Sequence, residues 1–238
     1  MRDARPWVVL QHVAHEGPGA IALAVNDAGG ELAVIRTDRG EPVPAAGAVA
    51  DMAGLVSMGG PMSVRDADDW LVAERSLLRA AVEANLPVLG VCLGAQQLAA
   101  ALGGTVAAGS APEIGVGEVH LTTEALHDPV FGQAPTPLPC VHWHEETFTL
   151  PDGAVRLAGS EAYENQAFRF SARAYGLQFH VEVTAALVSH WGSHLPAGVF
   201  VRASDVAHVS RAGHGIIRRF VALAHAWNEK AADELRGR

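Results

Sequence analysis

The sequence predicts an α/β fold with a doubly wound, mostly parallel sheet and an antiparallel extension. Up to residue 102, short apolar runs alternate with segments of helical pattern, and strands that alternate with helices of this length form parallel sheets. Beyond Gly103-Gly104 the runs become short and β-like, with turn residues but no long helix between them. This change predicts hairpins, and helical patterns return only towards the C-terminus.

The first half of the chain contains the alternating elements. A buried strand begins at Trp7, the helix after it ends at Gly29-Gly30, and the next strand has β-branched residues at its centre. The pattern over 70–84 places apolar residues on one face of a helix. Strands are predicted over 7–13, 31–36, 54–58 and 88–91, and helices over 17–28, 70–84 and 95–102.

The second half is richer in short strands. Strands are predicted over 105–108, 117–122, 138–143, 154–159, 166–170 and 173–179, and helices over 185–191 and from 204 onward. The last segment, 210–235, combines alanines with charged residues, and we expect it to pack over one edge of the sheet. We therefore expect one domain over 1–195 and a helical extension over 196–238 packed on it.

Composition limits the possible functions. The 238 residues are 49% hydrophobic and 18% charged, an ordinary globular balance in a chain long enough for one well-filled domain. A formal net charge of −9 argues against a nucleic-acid partner, because no basic stripe is available to neutralise phosphates. Lys230 is the only lysine, so the chain lacks a P-loop lysine and we do not expect it to activate ATP.

Cysteine usage and hydropathy bear on location. Cys92 and Cys140 are the only cysteines and do not make a disulfide framework, which favours a reducing compartment. Residues 1–6 lead into an apolar run too short for a secretory signal, and no apolar stretch is long enough to span a bilayer. We therefore expect a soluble, cytoplasmic protein that does not act at a membrane.

Residues 86–98 are the stretch most indicative of chemistry. A short apolar strand leads into Cys92, and good helix formers follow it. Gly90 and Gly94 flank the cysteine two residues away on either side, which is the cysteine version of a nucleophile elbow. Glycines allow the sharp turn without a Cβ clash, and a helix N-terminus favours a thiolate. Cys92 is therefore a candidate nucleophile, with a small buried hydrophobe as the structural alternative.

His180 and Glu182 are candidate partners for a nucleophile. On an extended strand, residues i and i+2 point to the same side, so these two side chains share a face. A carboxylate there can accept the imidazole Nδ1–H and leave Nε2 free to take a thiol proton. The alternative for this fragment alone is two polar residues at the open end of a strand.

The turn after the third strand, 57–61, is the third informative stretch. Its two glycines have N–H groups that can approach a ligand closely. One of these N–H groups and that of Leu93, directly after the cysteine, would stabilise a tetrahedral oxyanion. An ordinary Gly-Gly-Pro turn is the alternative.

These three stretches, in this order, resemble the class I glutamine amidotransferases of the Cys-His-Glu type. Residues 90–96, Gly-Val-Cys-Leu-Gly-Ala-Gln, match the family's Gly-[Ile/Val]-Cys-x-Gly-x-Gln, and residues 178–182 match Gln-Phe-His-Pro-Glu apart from valine for proline. The likeness covers about residues 7–195 and extends to stand-alone GMP-synthase-like amidotransferase domains. It implies a flavodoxin-like fold, an oxyanion loop at Gly60, and catalytic roles for Cys92, His180 and Glu182.

The resemblance also implies residues that contact the substrate. Gln96 would contact the amino-acid end of the substrate from the elbow helix. Residues 165–168 resemble the family's Asn-x-Gly-Phe segment, with alanine in place of glycine. This likeness implies that Asn165, Ala167 and Phe168 help to hold the glutamine.

His142 and His144 alternate along a predicted strand and precede two glutamates, a pattern that also occurs in metal sites. The chain has 12 histidines, so close pairs arise by chance, and no third ligand is identifiable in the sequence. We therefore expect no metal and no cofactor, and a substrate-lining or structural role for both histidines.

The expected reaction is hydrolysis of the side-chain amide of glutamine through a γ-glutamyl thioester on Cys92. Because the chain has no ATP-binding signature, either a separate synthetase subunit accepts the ammonia or there is no acceptor. One alternative is a free-standing γ-glutamyl hydrolase or peptidase, towards which Ala95 points because many members have histidine or methionine there. A second is a non-catalytic binding module on the same fold. A third is a protein that shares the elbow but takes its acid from elsewhere in the chain.

Overall fold

The computed structural model describes residues 5–192 and 194–236. Residues 1–4 of the segment considered for a signal, and residue 193 within the predicted domain, lie outside the described residues. The strands are β1 (Trp7–Gln11), β2 (Leu32–Arg36), β3 (Gly54–Ser57), β4 (Val88–Val91), β5 (Val106–Leu121), β6 (Leu138–Phe148), β7 (Val155–Gly159), β8 (Ala167–Phe170) and β9 (Ala174–Leu177). The α-helices are α1 (Gly19–Asp27), α2 (Asp69–Glu83), α3 (Leu93–Ala101), α4 (Thr123–Leu126), α5 (Ala185–Trp191) and α6 (Ala203–Arg236).

Within the described residues, the strands form one nine-stranded sheet of order β2-β1-β3-β4-β9-β8-β7-β5-β6. The first five strands in this order run parallel. The other pairings, from β9–β8 to β5–β6, are antiparallel. The predicted mostly parallel α/β sheet with an antiparallel extension is confirmed.

Helices cover both faces of the parallel part of the sheet. Successive side chains of a strand point to opposite faces, so Trp7 and Val9 of β1 join the core under α1 and α6. Val8 and Leu10 join the core under α2 and α3. Phe220 of α6 contacts the Trp7 ring edge-on, with 5.9 Å between ring centroids. The carboxyl ends of β3, β4 and β9 therefore meet at one edge between two helical layers.

The differences from the predicted elements lie mostly in the antiparallel part. β5 is continuous over 16 residues, whereas the sequence predicts strands over 105–108 and 117–122 only. The intervening segment contains Pro112 and glycines, which are poor strand formers, and its pairing with β6 shifts register between Ala108 and Glu113. The sequence does not predict α4, where the Ala125 amide donates to Thr122 Oγ1 over 3.2 Å.

Residues 178–183 follow β9 and do not continue it. The prediction that His180 and Glu182 lie on a strand is therefore wrong, since β9 ends at Leu177 and His180 pairs with Val141 only as an isolated antiparallel bridge. The backbone is nonetheless held in place by this bridge, in which the Val141 amide donates to the His180 carbonyl over 3.0 Å.

Helix α6 packs against the same segment. His214 Nε2 donates to the Val183 carbonyl over 3.0 Å. A Cβ built on Gly213 would collide with Val181 Cβ, so the helix backbone approaches the segment closely. The C-terminal helix thus packs directly against residues 180–183 and holds this segment in place. Among the described residues, no helix has the length and apolar character needed to cross a membrane.

Candidate active site

Cys92 lies at a sharp turn between β4 and α3. Its backbone has φ 52° and ψ −110°, a conformation that non-glycine residues rarely adopt. A Cβ on Gly90 would collide with the backbone of Gly94, and a Cβ on Gly94 would collide with Ser57. The two flanking glycines are thus required by the close approach of α3 to the strands, and the turn carries the strained cysteine at the N-terminus of the helix.

His180 and Glu182 are paired and almost completely buried. His180 Nδ1 lies 2.7 Å from Glu182 Oε1, and the two side chains are 0% and 2% exposed. The other ring nitrogen, Nε2, is buried and makes no hydrogen bond to any described residue. Burial lowers the pKa of His180, but the charge of Glu182 and the neighbouring Cys92 raise it well above its usual value. The imidazole is oriented by the carboxylate and leaves Nε2 available.

The Cys92 sulfur has two further polar neighbours. Its Sγ lies 3.5 Å from the Trp143 carbonyl, and Gln178 Nε2 donates to it over 3.7 Å. Gln96 Nε2 in turn donates to Gln178 Oε1 over 3.0 Å. Sequence reasoning missed Trp143 and did not assign a role to Gln178, although Gln178 belongs to the same motif as His180.

A cavity of about 340 Å³ opens at the thiol, a size typical of small-molecule sites. It brings together three residues predicted from the sequence, Cys92, Gly60 and Gln96. Arg65, near its rim, forms an ion pair with Glu146. The lining residues are Gly60, Pro61, Met62, Ser63, Cys92, Gln96, Trp143, His144, Glu145 and Glu146.

The two predicted oxyanion amides lie beside the cysteine. A Cβ built on Gly60 would lie 3.2 Å from Leu93 Cδ2, so the glycine loop packs directly on the first turn of α3. The Gly60 amide donates to no described residue. Leu93 is the first residue of α3, where amides have no acceptor within the helix. Neither N–H group therefore donates a hydrogen bond within the part of the chain that the structure describes.

The other predicted substrate residues do not line this cavity. Asn165 Nδ2 donates to the Phe148 carbonyl over 2.9 Å, and its Oδ1 accepts from Arg156 over 3.2 Å. Ala167 and Phe168 are fully buried in β8. The structure therefore does not bring these residues to Cys92.

The histidine pair of β6 has a neighbour that the sequence does not reveal. Glu113, His142 and His144 hold potential ligand atoms within 4.8 Å of one another, and could hold a metal ion. The register of β5 against β6 pairs Glu113 with His144, across 31 residues of chain. The carboxylate also accepts hydrogen bonds from Ser160 and Gln166. Burial raises the pKa of Glu113, but the hydrogen bonds from His144 and Ser160 and the charges of the two histidines lower it below its usual value. Protein donors thus satisfy the carboxylate, and the absence of a metal stays a prediction.

A buried carboxyl group that the sequence does not signal lies next to His180. Glu16 is 6% exposed and lies in the loop after β1. A Cβ on Gly59 would collide with its carboxylate and would lie 3.2 Å from His180 Cε1. Burial raises the pKa of Glu16, while the charge of His180 opposes that rise. Residue 59 must therefore be glycine, because its loop passes between the Glu16 carboxylate and the His180 imidazole and leaves no room for a side chain.

The chain is similar to known proteins in both sequence and structure. A family model described as Glutamine amidotransferase class-I matches residues 19–190. The glutamine amidotransferase-like protein YfeJ of Salmonella typhimurium is 32% identical over 228 residues, covering 94% of this chain and 90% of that protein. A crystal structure of a glutamine amido transferase from Methylobacillus flagellatus superposes with a TM-score of 0.82 at 32% identity, covering 92% of this chain and 94% of that one. One subunit of a glutamine-hydrolyzing GMP synthase from Natronomonas pharaonis is 39% identical over 104 residues, which cover 43% of this chain and 55% of that protein.

Proposed function

The chain belongs to the class I glutamine amidotransferase family, and we propose that it hydrolyses the side-chain amide of glutamine with Cys92 as the nucleophile. The observation that carries the proposal is that Cys92, at a strained elbow, opens into the cavity lined by Gly60, while His180 and Glu182 pair behind it over 2.7 Å. A nucleophile, a base and a group that orients the base are the parts that acyl transfer requires.

The reaction follows from these positions. The Cys92 thiol transfers its proton to His180 Nε2, and the sulfur forms a bond to the amide carbon of glutamine. The C–N bond of the resulting tetrahedral intermediate breaks as His180 returns the proton to the leaving nitrogen, which departs as ammonia. Water then attacks the γ-glutamyl thioester with His180 again as base, which releases glutamate and restores the thiol. Glu182 stabilises the imidazolium in both halves of the reaction.

The developing oxyanion is proposed to lie between two backbone amides, those of Gly60 and Leu93. Neither amide donates to any of the described residues, and the second belongs to the N-terminus of α3, whose dipole favours negative charge. Loss of one such donor typically lowers kcat by about 10²–10³-fold, so this pair supplies a large part of the expected rate enhancement.

We propose that the ammonia passes to a separate synthetase. The similarity to one subunit of a glutamine-hydrolyzing GMP synthase supports this division of labour, although the match covers 55% of that protein. The sequence has a single lysine, Lys230, and no P-loop, which supports an ATP-using step on another chain. A free-standing γ-glutamyl hydrolase has less support. Ala95 is fully buried on the α2 side of the core and does not line the cavity, so it does not enlarge the space beside the thiol.

A glutamine-like chloroketone tests the proposed nucleophile without an acceptor protein. We expect it to alkylate Cys92, detected by peptide mass spectrometry, and glutamine to protect against the label. Cys140 is the internal control because it is 0% exposed. Equal labelling of both cysteines, or labelling of Cys92 that glutamine does not slow, would contradict a glutamine site and favour a non-catalytic module.

A further inference from the structure

A fully buried ion pair lies beneath the loop that carries Gly60. His12, just after β1, has Nε2 3.1 Å from Glu74 Oε2 of α2, and both side chains are 0% exposed. The Ser57 hydroxyl donates to the other oxygen of the same carboxylate. Buried ion pairs seldom stabilise a fold more than apolar residues of the same size would, so their position is more informative than their energy.

The other nitrogen of His12 is bound to the glycine loop. His12 Nδ1 donates to the carbonyl of Gly59 over 3.1 Å. Because a carbonyl oxygen can only accept, Nδ1 carries the proton of this hydrogen bond. Burial lowers the pKa of His12, but the charge of Glu74 and the hydrogen bonds to Glu74 and Gly59 raise it above its usual value. Trp70 stacks on the ring with 5.3 Å between centroids and an interplanar angle of 26°, which fixes its plane.

Peptide geometry links this hydrogen bond to the cavity. The carbonyl of Gly59 and the N–H of Gly60 belong to one planar trans peptide and point in opposite directions. Because His12 holds the Gly59 carbonyl, the N–H of Gly60 must point away from the His12 imidazole. Gly60 itself lines the cavity together with Cys92. Two adjacent glycines can rotate their shared peptide at little steric cost, so nothing within the loop itself fixes this orientation.

We infer that His12 is a positioning residue that holds the Gly59–Gly60 peptide with its N–H towards the reacting carbon. Glu74 keeps the imidazole oriented with Nδ1–H towards the Gly59 carbonyl, and Ser57 and Trp70 hold the pair in place. The inference deepens the proposed glutaminase function and rests on it. His12 touches neither the sulfur nor the substrate, and it acts only through the direction of one peptide group.

Two substitutions separate the two hydrogen bonds of His12. An asparagine amide nitrogen lies where Nδ1 lies and can donate to the Gly59 carbonyl, whereas a glutamine amide nitrogen lies near Nε2 and can reach only Glu74. We expect His12→Gln to lower kcat for glutamine about 10–100-fold with little change in KM, because the oxyanion loses its fixed donor. We expect His12→Asn to retain kcat within about threefold of wild type.

Two further readouts distinguish positioning from a general loss of structure. The rate of Cys92 alkylation by iodoacetamide, which forms no oxyanion, should be the same in both variants and in wild type. The Ki of the γ-aldehyde of glutamate, whose hemithioacetal oxygen takes the oxyanion position, should rise in His12→Gln in parallel with the fall in kcat/KM. Equal losses in the two variants, or wild-type kcat in His12→Gln, would overturn the inference.

Crystal structures of the two variants test the inference independently of turnover. The Gly59 carbonyl should keep its direction in His12→Asn and turn away from residue 12 in His12→Gln. An unchanged peptide in His12→Gln would refute the positioning role even if the variant is slow. If wild type hydrolyses no γ-glutamyl amide, the proposed function fails, and these structures still decide whether His12 sets the direction of the peptide.

Discussion

His180 Nδ1 lies 2.7 Å from Glu182 Oε1, with the imidazole completely buried and its Nε2 unused by any described residue. This contact forms although the two residues follow β9 and lie outside any strand. The bridge to Val141 and the packing of α6 hold the segment instead. The relationship between these two side chains leads to two predictions, one on turnover and one on pH.

Glu182→Gln should lower kcat for glutamine by about 10²–10⁴-fold, because a neutral amide neither stabilises the imidazolium nor enforces the tautomer with Nδ1–H. Steady-state release of glutamate measures this effect. Glu118→Gln, on a half-exposed side chain of β5, is the matched control and should retain activity. Undiminished activity of Glu182→Gln would indicate that the acid lies elsewhere in the chain.

The pH dependence of stability should change in the same variant. Burial lowers the pKa of His180, but Glu182 and Cys92 raise it well above its usual value of 6.5. A group with a raised pKa in the folded state stabilises the fold fully at low pH and loses that contribution as the pH rises through the folded pKa. The free energy of unfolding in urea should therefore fall more steeply above pH 6.5 for wild type than for Glu182→Gln. Parallel slopes would contradict this coupling.

The strained backbone of Cys92 predicts a difference in stability between two inactive variants. At φ 52° and ψ −110° a residue with a Cβ costs about 1–3 kcal/mol, which glycine avoids. Cys92→Gly should therefore be more stable than Cys92→Ala by about 1 kcal/mol, measured by denaturant unfolding. Ala100→Gly, inside α3, is the control and should be destabilising by about 1 kcal/mol. A less stable Cys92→Gly would refute the strain.

Substitutions of two glycines in α6 test whether this helix supports residues 180–183. Gly213→Ala would bring a Cβ into collision with Val181, so we expect a loss of about 1–3 kcal/mol and a lower kcat. Gly215→Ala places its Cβ 3.1 Å from the flexible end of Arg219 and should be neutral or stabilising. Equal effects of the two substitutions on the free energy of unfolding would show that α6 does not pack closely against this segment.

Local sequence signals predict the elbow, the glycine turn and the His180–Glu182 pair, because each depends on residues within a few positions of one another. Contacts between distant segments are not predictable in this way. Glu113 meets His144 only through the register of two antiparallel strands, and His12 meets Glu74 only because β1 and α2 are neighbours. The motif implies that Asn165 contacts the substrate, but its side-chain amide donates to the Phe148 carbonyl. The motif alone cannot reveal this contact.

The most direct test of the account is release of glutamate and ammonia from glutamine by the purified chain, beside Cys92→Ala and Cys140→Ala. We predict equal amounts of both products from wild type and from Cys140→Ala, and none from Cys92→Ala. Release that persists in Cys92→Ala would contradict Cys92 as the nucleophile. No release from glutamine or any γ-glutamyl amide by wild type with an intact, reactive Cys92 would contradict the proposed hydrolysis.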